Sequence, residues 1–182
     1  TPTPSPDPPV PETTLKAQAI STELKPLLDQ WKIDNGGVAL ANNGCLTYKA
    51  QHWANFRASE AKSESGYGHS GQLARKDCGA YRVEIPYCDG SGTYTYPWDK
   101  HVTAPEIIAW HLGTGTAAET AQAMIDKMSA DPESAMGRSI RDSRDRQVGI
   151  GVAYNSFRDD YFAVIQYLAP PVIPECQQPE AP

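Results

Sequence analysis

The stretch VGIGVAYNSFRDDYFAVIQYL, residues 148–168, decides the fold class. Two runs rich in Val, Ile, Tyr and Phe, 148–154 and 161–168, flank a short polar connection. Runs of this composition on either side of a turn-rich segment are typical of paired antiparallel strands. The sequence therefore predicts a β-hairpin, and we expect this hairpin to supply the central sheet.

The two faces of this hairpin follow from the two-residue period of a β-strand. Val148, Ile150 and Val152 share one face, and Ala163 and Ile165 lie on one face of the partner strand. Because these positions are all apolar, we expect that side of the hairpin to carry a hydrophobic core.

Helical periodicity precedes the hairpin. A first helix is predicted to open at Thr13, to present one apolar face and to end at Asn35-Gly36-Gly37, with Pro26 kinking or dividing it. A second helix is predicted over about 46–62. Its inner face consists of Leu46, Ala50, Trp53, Arg57 and Ala61.

The segment between the second helix and the hairpin carries mixed signals. Alternation at 81–85 predicts a short strand. The segment 93–98 is β-prone but carries a proline near its end, so it is either an edge strand or an extended loop. The charged segment 139–147 is expected to be a loop. Few strands, paired antiparallel and combined with several helices, indicate an α+β fold class with helices packed on a small sheet.

Two capping boxes are predicted in the same region. Thr103 with Glu106 predicts the start of a short helix, and Thr116 with Glu119 predicts the start of another. The second of these helices should bury one apolar face. That face consists of Ala121, Met124, Ile125 and Met128.

The chain has 182 residues and a formal net charge of −6, which suits one domain and disfavours nucleic acid as a partner. Six of its 16 prolines fall in 1–12 and five in 169–182. We therefore divide the chain into a flexible Pro-rich stalk, 1–12, a domain, 13–168, and a Pro-rich C-terminal tail, 169–182.

The stalk indicates an extracellular or surface-anchored protein. Polyproline-rich runs act as extended spacers. The chain begins at Thr1, which we interpret as processing that removed an N-terminal anchor for membrane attachment. A linker from a larger protein is the alternative.

The four cysteines are Cys45, Cys78, Cys88 and Cys176, and three pairings are open. We favour Cys78–Cys88, because these residues bracket a short turn-rich segment. Cys45–Cys176 then follows, and it would tether the C-terminal tail. Disulfides form in oxidising compartments, which agrees with an extracellular protein.

Several short motifs follow one another along the chain. They are Ala50-Gln51-His52-Trp53-Ala54, Gly68-His69-Ser70, Cys78-Gly79, Thr116-Ala117-Ala118-Glu119, the segment SAMGRSI at 134–140, and Val148-Gly149-Ile150-Gly151-Val152-Ala153. In this order they resemble the CAP superfamily of cysteine-rich secretory, antigen 5 and pathogenesis-related proteins, and its bacterial SCP-like extracellular domains. The resemblance spans roughly 14–168 and implies a three-layer α–β–α sandwich.

The resemblance also implies a cavity with two histidines and two acidic residues, which sometimes holds a divalent metal. His69 matches the first histidine, but Gly137 stands at the second. The carboxylates nearest the acidic positions are Glu84 and either Asp131 or Glu133. One imidazole with such carboxylates is a poor zinc site, so we expect no metal and a polar pocket; a divalent metal at His69 is the alternative.

A second candidate site is an aromatic loop. Tyr87, Tyr94, Tyr96 and Trp98 fall within twelve residues together with glycine and proline. Such a composition is typical of binding loops. The alternative is that these rings cover the core beneath a long loop.

Taken together, these features predict a non-catalytic extracellular binding module that acts as a monomer. The ligand classes that the resemblance admits are a small amphipathic molecule such as a lipid, a glycan or a surface protein. The alternative function is a secreted metal-assisted hydrolase or peptidase that uses the cavity at His69.

Overall fold

The computed structural model describes residues 9–60, 69–71, 75–79, 83–97, 104–131, 133–142, 144–169, 171 and 173–179. The elements, in chain order, are α1 (Glu12–Asp34), β1 (Ala41–Asn42), α2 (Gly44–Ala58), β2 (Val83–Pro86), β3 (Thr93–Tyr96), β4 (Glu106–Leu112), α3 (Ala117–Ser129), α4 (Ala135–Arg141), β5 (Gln147–Asn155) and β6 (Asp160–Leu168). No helix in these ranges is long and apolar enough to cross a membrane.

The main sheet has the strand order β1-β5-β6-β4. Strands β5 and β6 pair antiparallel from Gln147 opposite Leu168 to Asn155 opposite Asp160, which confirms the predicted hairpin as the centre of the sheet. Strand β4 pairs antiparallel with β6, and the two-residue β1 pairs parallel with β5. Strands β2 and β3 form a separate antiparallel pair.

The prediction of a helix capped by Thr103 and Glu106 is wrong, because residues 106–112 form strand β4. The run Ile107-Ile108-Ala109-Trp110 is apolar and β-prone, and it pairs with β6 along its whole length. This pairing outweighs the local capping signal. Thr103 lies outside the described residues.

The capping box at Thr116 is confirmed. The Glu119 amide donates to Thr116 Oγ1 at 3.2 Å, and the Thr116 amide donates to Glu119 Oε2 at 2.7 Å. Helix α3 follows and buries the predicted apolar face.

Three predicted boundaries differ from the structure. Pro26 does not divide α1, which is one helix whose buried row Ile20, Leu24 and Leu28 continues past the proline. Helix α2 ends at Ala58 rather than near residue 62. Helix α4 occupies the first part of the segment that was predicted to be a charged loop.

Helices cover both faces of the sheet, as the three-layer α+β prediction requires. On one face, α1 and α3 pack against the predicted row that includes Val148, Ile150 and Ala163. On the other face, α2 packs against β5 and β6. The core there is formed by Ala50, Ala54, Ile108, Ala153, Phe162 and Val164.

Two glycines in β5 let helix α2 approach the sheet closely. A Cβ at Gly149 would lie 2.2 Å from the backbone of Leu46 and Thr47, and one at Gly151 would lie 2.3 Å from that of Ala50. Real Cβ atoms do not come this close to backbone, so these positions admit only glycine at the observed helix-to-sheet spacing. Alternating glycine and branched residues in β5 thus assign one face to α2 and the other to α1.

The cysteine pairing predicted from the sequence is wrong. The structure joins Cys45 to Cys78 and Cys88 to Cys176. The β2–β3 hairpin begins before Cys88, and the tail residue Gln177 pairs with Tyr87 there, which brings Cys176 to Cys88. Cys45 lies at the start of α2, close to the segment that contains Cys78. A short separation along the chain was therefore a poor guide to proximity in space.

Candidate functional site

A buried carboxylate, that of Glu106, organises the candidate site. Glu106 is the first residue of β4 and lies opposite Gln166 of β6. Its Oε1 accepts a hydrogen bond from the Ser70 amide at 2.7 Å and lies 3.0 Å from His69 Nδ1. Its Oε2 accepts from Gln166 Nε2 at 2.7 Å and from the Ser70 hydroxyl. Both carboxylate oxygens are thus engaged by internal donors.

The guanidinium of Arg75 also belongs to this network. Its Nε donates to the Ala104 carbonyl at 2.8 Å and its Nη1 donates to Ser70 Oγ at 2.8 Å. Nη1 also lies 3.7 Å from Glu106 Oε2. Burial lowers the pKa of Arg75, and the negative charge of Glu106 opposes this effect. The positive charge of Arg75 and the negative charge of Glu106 therefore compensate each other where little water is present.

His69 lies at the outer side of the network. Its side chain is 61% exposed, whereas that of Glu106 is fully buried. The histidine therefore adds one hydrogen bond to a carboxylate that three other residues already hold. A polar pocket formed by His69 itself stays a prediction.

The other carboxylates that the sequence placed near His69 lie elsewhere. Glu84, on β2, accepts from the Thr95 hydroxyl at 2.8 Å. Asp131 accepts from the Glu133 amide at 3.0 Å, and Glu133 pairs with Arg141. None of the three contacts His69; the carboxylate that does is Glu106.

Sequence reasoning missed Glu106 because it placed the residue in a helix cap. A signal was present: Glu106 immediately precedes an apolar run, and a carboxylate at the edge of a buried strand requires partners.

The described residues at this site lack the ligand set of a divalent metal. Of the described residues, no group of three or more His, Cys, Asp and Glu side chains could hold one. His69 and Glu106 are the only two such residues brought together here within the described ranges, and the carboxylate lone pairs already accept hydrogen bonds. Zinc sites use three or four protein donors. The described residues thus bring one imidazole and one hydrogen-bonded carboxylate together, fewer donors than such a site uses.

A cleft of about 320 Å³ opens next to the network. Ser70, Gly71, Arg75 and Gln166 contribute its polar side, and one face of α2 contributes its wall. That wall consists of Tyr48, Lys49, His52 and Trp53. His69 itself is not among the lining residues.

Helical spacing places several aromatic rings on the same side of α2. Tyr48, His52 and Phe56 recur every four residues and so lie on one side of the helix. The Tyr48 and His52 rings are 6.4 Å apart, and the Trp53 and Phe56 rings stack at 5.3 Å. Tyr48 is 72% exposed. This exposed aromatic row was not predicted as a site.

The aromatic loop predicted as a second site lies on the β2–β3 hairpin. The rings of Tyr87 and Tyr94 are 6.1 Å apart, and Tyr96 ends β3. All three are half-buried, and none lines the cleft. Trp98 lies outside the described residues. A binding role for this hairpin stays a prediction.

No protein-family model matches the chain, and no curated protein does. Solved structures do match. The CAP domain of Enterococcal PrgA is 12% identical with a TM-score of 0.44, over 92% of this chain and 69% of that one. Venom allergen-like protein 4 of Schistosoma mansoni is 11% identical with a TM-score of 0.38, over 92% of this chain and 95% of that one.

A third similar structure is that of MpPR-1i, which is 14% identical with a TM-score of 0.41, over 89% of this chain and 97% of that one. The roles of residues in this chain therefore rest on its own geometry.

Proposed function

We propose that this chain is a non-catalytic extracellular binding module that takes a small amphipathic ligand in the cleft between α2 and the Glu106 network. The observation that carries the proposal is the composition of the cleft. Aromatic side chains from α2 face a polar edge formed by Ser70 and Gln166. An amphipathic molecule offers matching surfaces, an apolar body for the rings and a polar head for the edge.

The Glu106 network supports a binding role rather than a catalytic one. A general base needs a carboxylate that can take a proton from a substrate. Both oxygens of Glu106 are buried and accept hydrogen bonds from within the protein. Its role in the proposal is to fix Ser70 and Gln166 at the edge of the cleft.

An extracellular location is supported by the two disulfides, since such bonds persist in oxidising compartments. In the proposal the Pro-rich segment 1–12 serves as a spacer to a membrane anchor.

A pair of exposed aromatic residues gives a matched test. Tyr48 lines the cleft, whereas Phe157, which is 63% exposed, lies in the β5–β6 turn. Binding of a long-chain fatty acid, a sterol and a neutral oligosaccharide would be titrated by tryptophan fluorescence, since Trp53 lines the cleft. We expect saturable binding of a lipid probe, weakened about tenfold by Tyr48→Ala, as a lost aromatic contact of about 1–1.5 kcal/mol implies.

Phe157→Ala should bind the same probe with unchanged affinity. Equal effects of the two substitutions, binding of the oligosaccharide alone, or no saturable binding of any probe would contradict the proposal.

A further inference from the structure

A buried lysine–aspartate pair lies in the layer between α1 and the sheet, apart from the cleft. Lys32 belongs to the last turn of α1, and Asp145 precedes β5. Their side chains are 2% and 0% exposed. Lys32 Nζ lies 2.8 Å from Asp145 Oδ2 and also donates to the Asp142 carbonyl at 2.8 Å. The ammonium and the carboxylate are thus held in contact away from solvent.

Buried side chains of α1 and the charged residues Asp142 and Arg144 both lie near the pair. Lys32 continues the buried row of α1 that contains Leu24 and Leu28. The ring of Tyr167 lies 4.9 Å from Nζ. Asp145 Oδ1 and the Tyr167 hydroxyl are buried without a hydrogen-bond partner in the described part of the chain. The pair therefore lacks the full set of partners that a buried salt bridge needs.

Desolvation favours the neutral form of the Asp145 carboxylate. Burial raises the pKa of Asp145 to about 6, although Lys32 opposes this shift. Burial and the charge of Asp145 also raise the pKa of Tyr167, so its hydroxyl stays protonated. Transfer of a proton from Nζ to Oδ2 converts the ion pair into an amine and a carboxylic acid. A desolvated neutral lysine amine is a nucleophile.

We propose that Lys32 and Asp145 condense into an isopeptide bond that links α1 to the segment entering β5. The Nζ lone pair attacks Asp145 Cγ, and a Nζ–Cγ bond forms. Nitrogen releases two protons in all to Oδ2, the Cγ–Oδ2 bond breaks, and Oδ2 leaves as water. The ammonium and carboxylate thus become one amide and one water, with no other reactant and no change of oxidation state.

The bond would remove two buried charges and add a covalent link between residues that are 113 positions apart. It does not depend on the proposed binding function, because neither residue lines the cleft.

Mass spectrometry of the full chain tests the proposal directly. After denaturation and reduction of the disulfides, we expect the intact mass to be lower than the sequence mass by one water. A proteolytic digest should contain a branched peptide that joins the segments around Lys32 and Asp145. Asp145→Ala cannot condense and should give its full sequence mass.

Asp145→Asn supplies a second test. Its side chain can condense with Lys32 by releasing ammonia instead of water, so its final mass should equal that of the native chain. Water loss by succinimide formation at Asp89-Gly90 would place the deficit in a linear peptide, and this result would overturn the proposal. A full sequence mass with Lys32 and Asp145 in separate linear peptides would also overturn it.

Discussion

The side chains of Glu106 and His69 contact each other, yet the structure assigns them unequal importance. Glu106 is buried and accepts from Ser70, Gln166 and His69, whereas the His69 side chain is largely exposed. Removing a buried carboxylate leaves several buried donors without a hydrogen-bond acceptor, which is costly. Removing an exposed imidazole breaks one hydrogen bond at the surface, where water can replace it. The stability of the site should therefore depend on the glutamate.

We expect Glu106→Ala to lower the free energy of unfolding by about 3–5 kcal/mol, because it leaves the buried Arg75 charge without its partner. His69→Ala should cost less than about 1 kcal/mol. Urea denaturation of the two variants checks both values. Similar losses for the two substitutions would contradict the unequal roles.

The site could be predicted from the sequence only in part, for reasons visible at single residues. His69 was recognised because it lies in a short local motif. Its partner Glu106 is 37 positions away and meets it only when β4 pairs with β6. Contacts made by strand pairing leave no local trace in the sequence. Glu84, Asp131 and Glu133 were chosen as the carboxylates nearest the acidic positions that the resemblance implies, and they lie elsewhere.

At the scale of elements, the packing of α2 on β5 depends on two glycines. Gly151→Ala would place a Cβ 2.3 Å from the backbone of α2, and backbone cannot move aside as a flexible side chain can. We expect the free energy of unfolding to fall by about 1–3 kcal/mol or more.

Gly44→Ala is the matched control for this glycine. No atom lies within 4 Å of a Cβ at Gly44, which is the first residue of α2. The free energy of unfolding of the control, measured by thermal unfolding, should stay within about 0.5 kcal/mol of the value for the native chain. A tolerated Gly151→Ala would mean that the helix and the strand are farther apart than described.

The opposite face of β5 gives another prediction. Ile150 is buried between the sheet and α1, so Ile150→Asp should cost about 3–5 kcal/mol by burying an unpaired charge. Val38→Asp, at an exposed position, should cost less than about 0.5 kcal/mol. Chemical denaturation measures the free energy of unfolding of both variants. A small loss for Ile150→Asp would contradict the burial of this face.

Elements with strong periodicity were predicted well, and elements set by tertiary pairing were not. The β5–β6 hairpin and the buried face of α3 follow from period-2 and period-3.6 patterns. Strand β1 has two residues, too few for a pattern, and β4 carries an apolar run that suits a helix or a strand. Its pairing with β6 decides between them.

At the scale of the molecule, the two disulfides close loops of 33 and 88 residues. The chain-entropy model gives about 4 kcal/mol for the first and about 5 kcal/mol for the second. Replacing both members of either pair by serine should lower the free energy of unfolding by about 2–5 kcal/mol. Peptide mapping without reductant should recover Cys45 with Cys78 and Cys88 with Cys176; any other pairing would contradict the structure.

The two disulfide loops follow one another along the chain and do not overlap. Ribosomes deliver the chain from its N-terminus, so the first bond can form while most of the sheet is still unsynthesised. Cys88 can pair correctly only after Cys176, near the end of the chain, has been synthesised. Cys78, by contrast, lies only ten positions before Cys88. Short loops close most easily, so an incorrect Cys78–Cys88 disulfide is the one expected to form early in folding. Correct maturation would therefore depend on a disulfide isomerase, or on the prompt capture of Cys78 by Cys45.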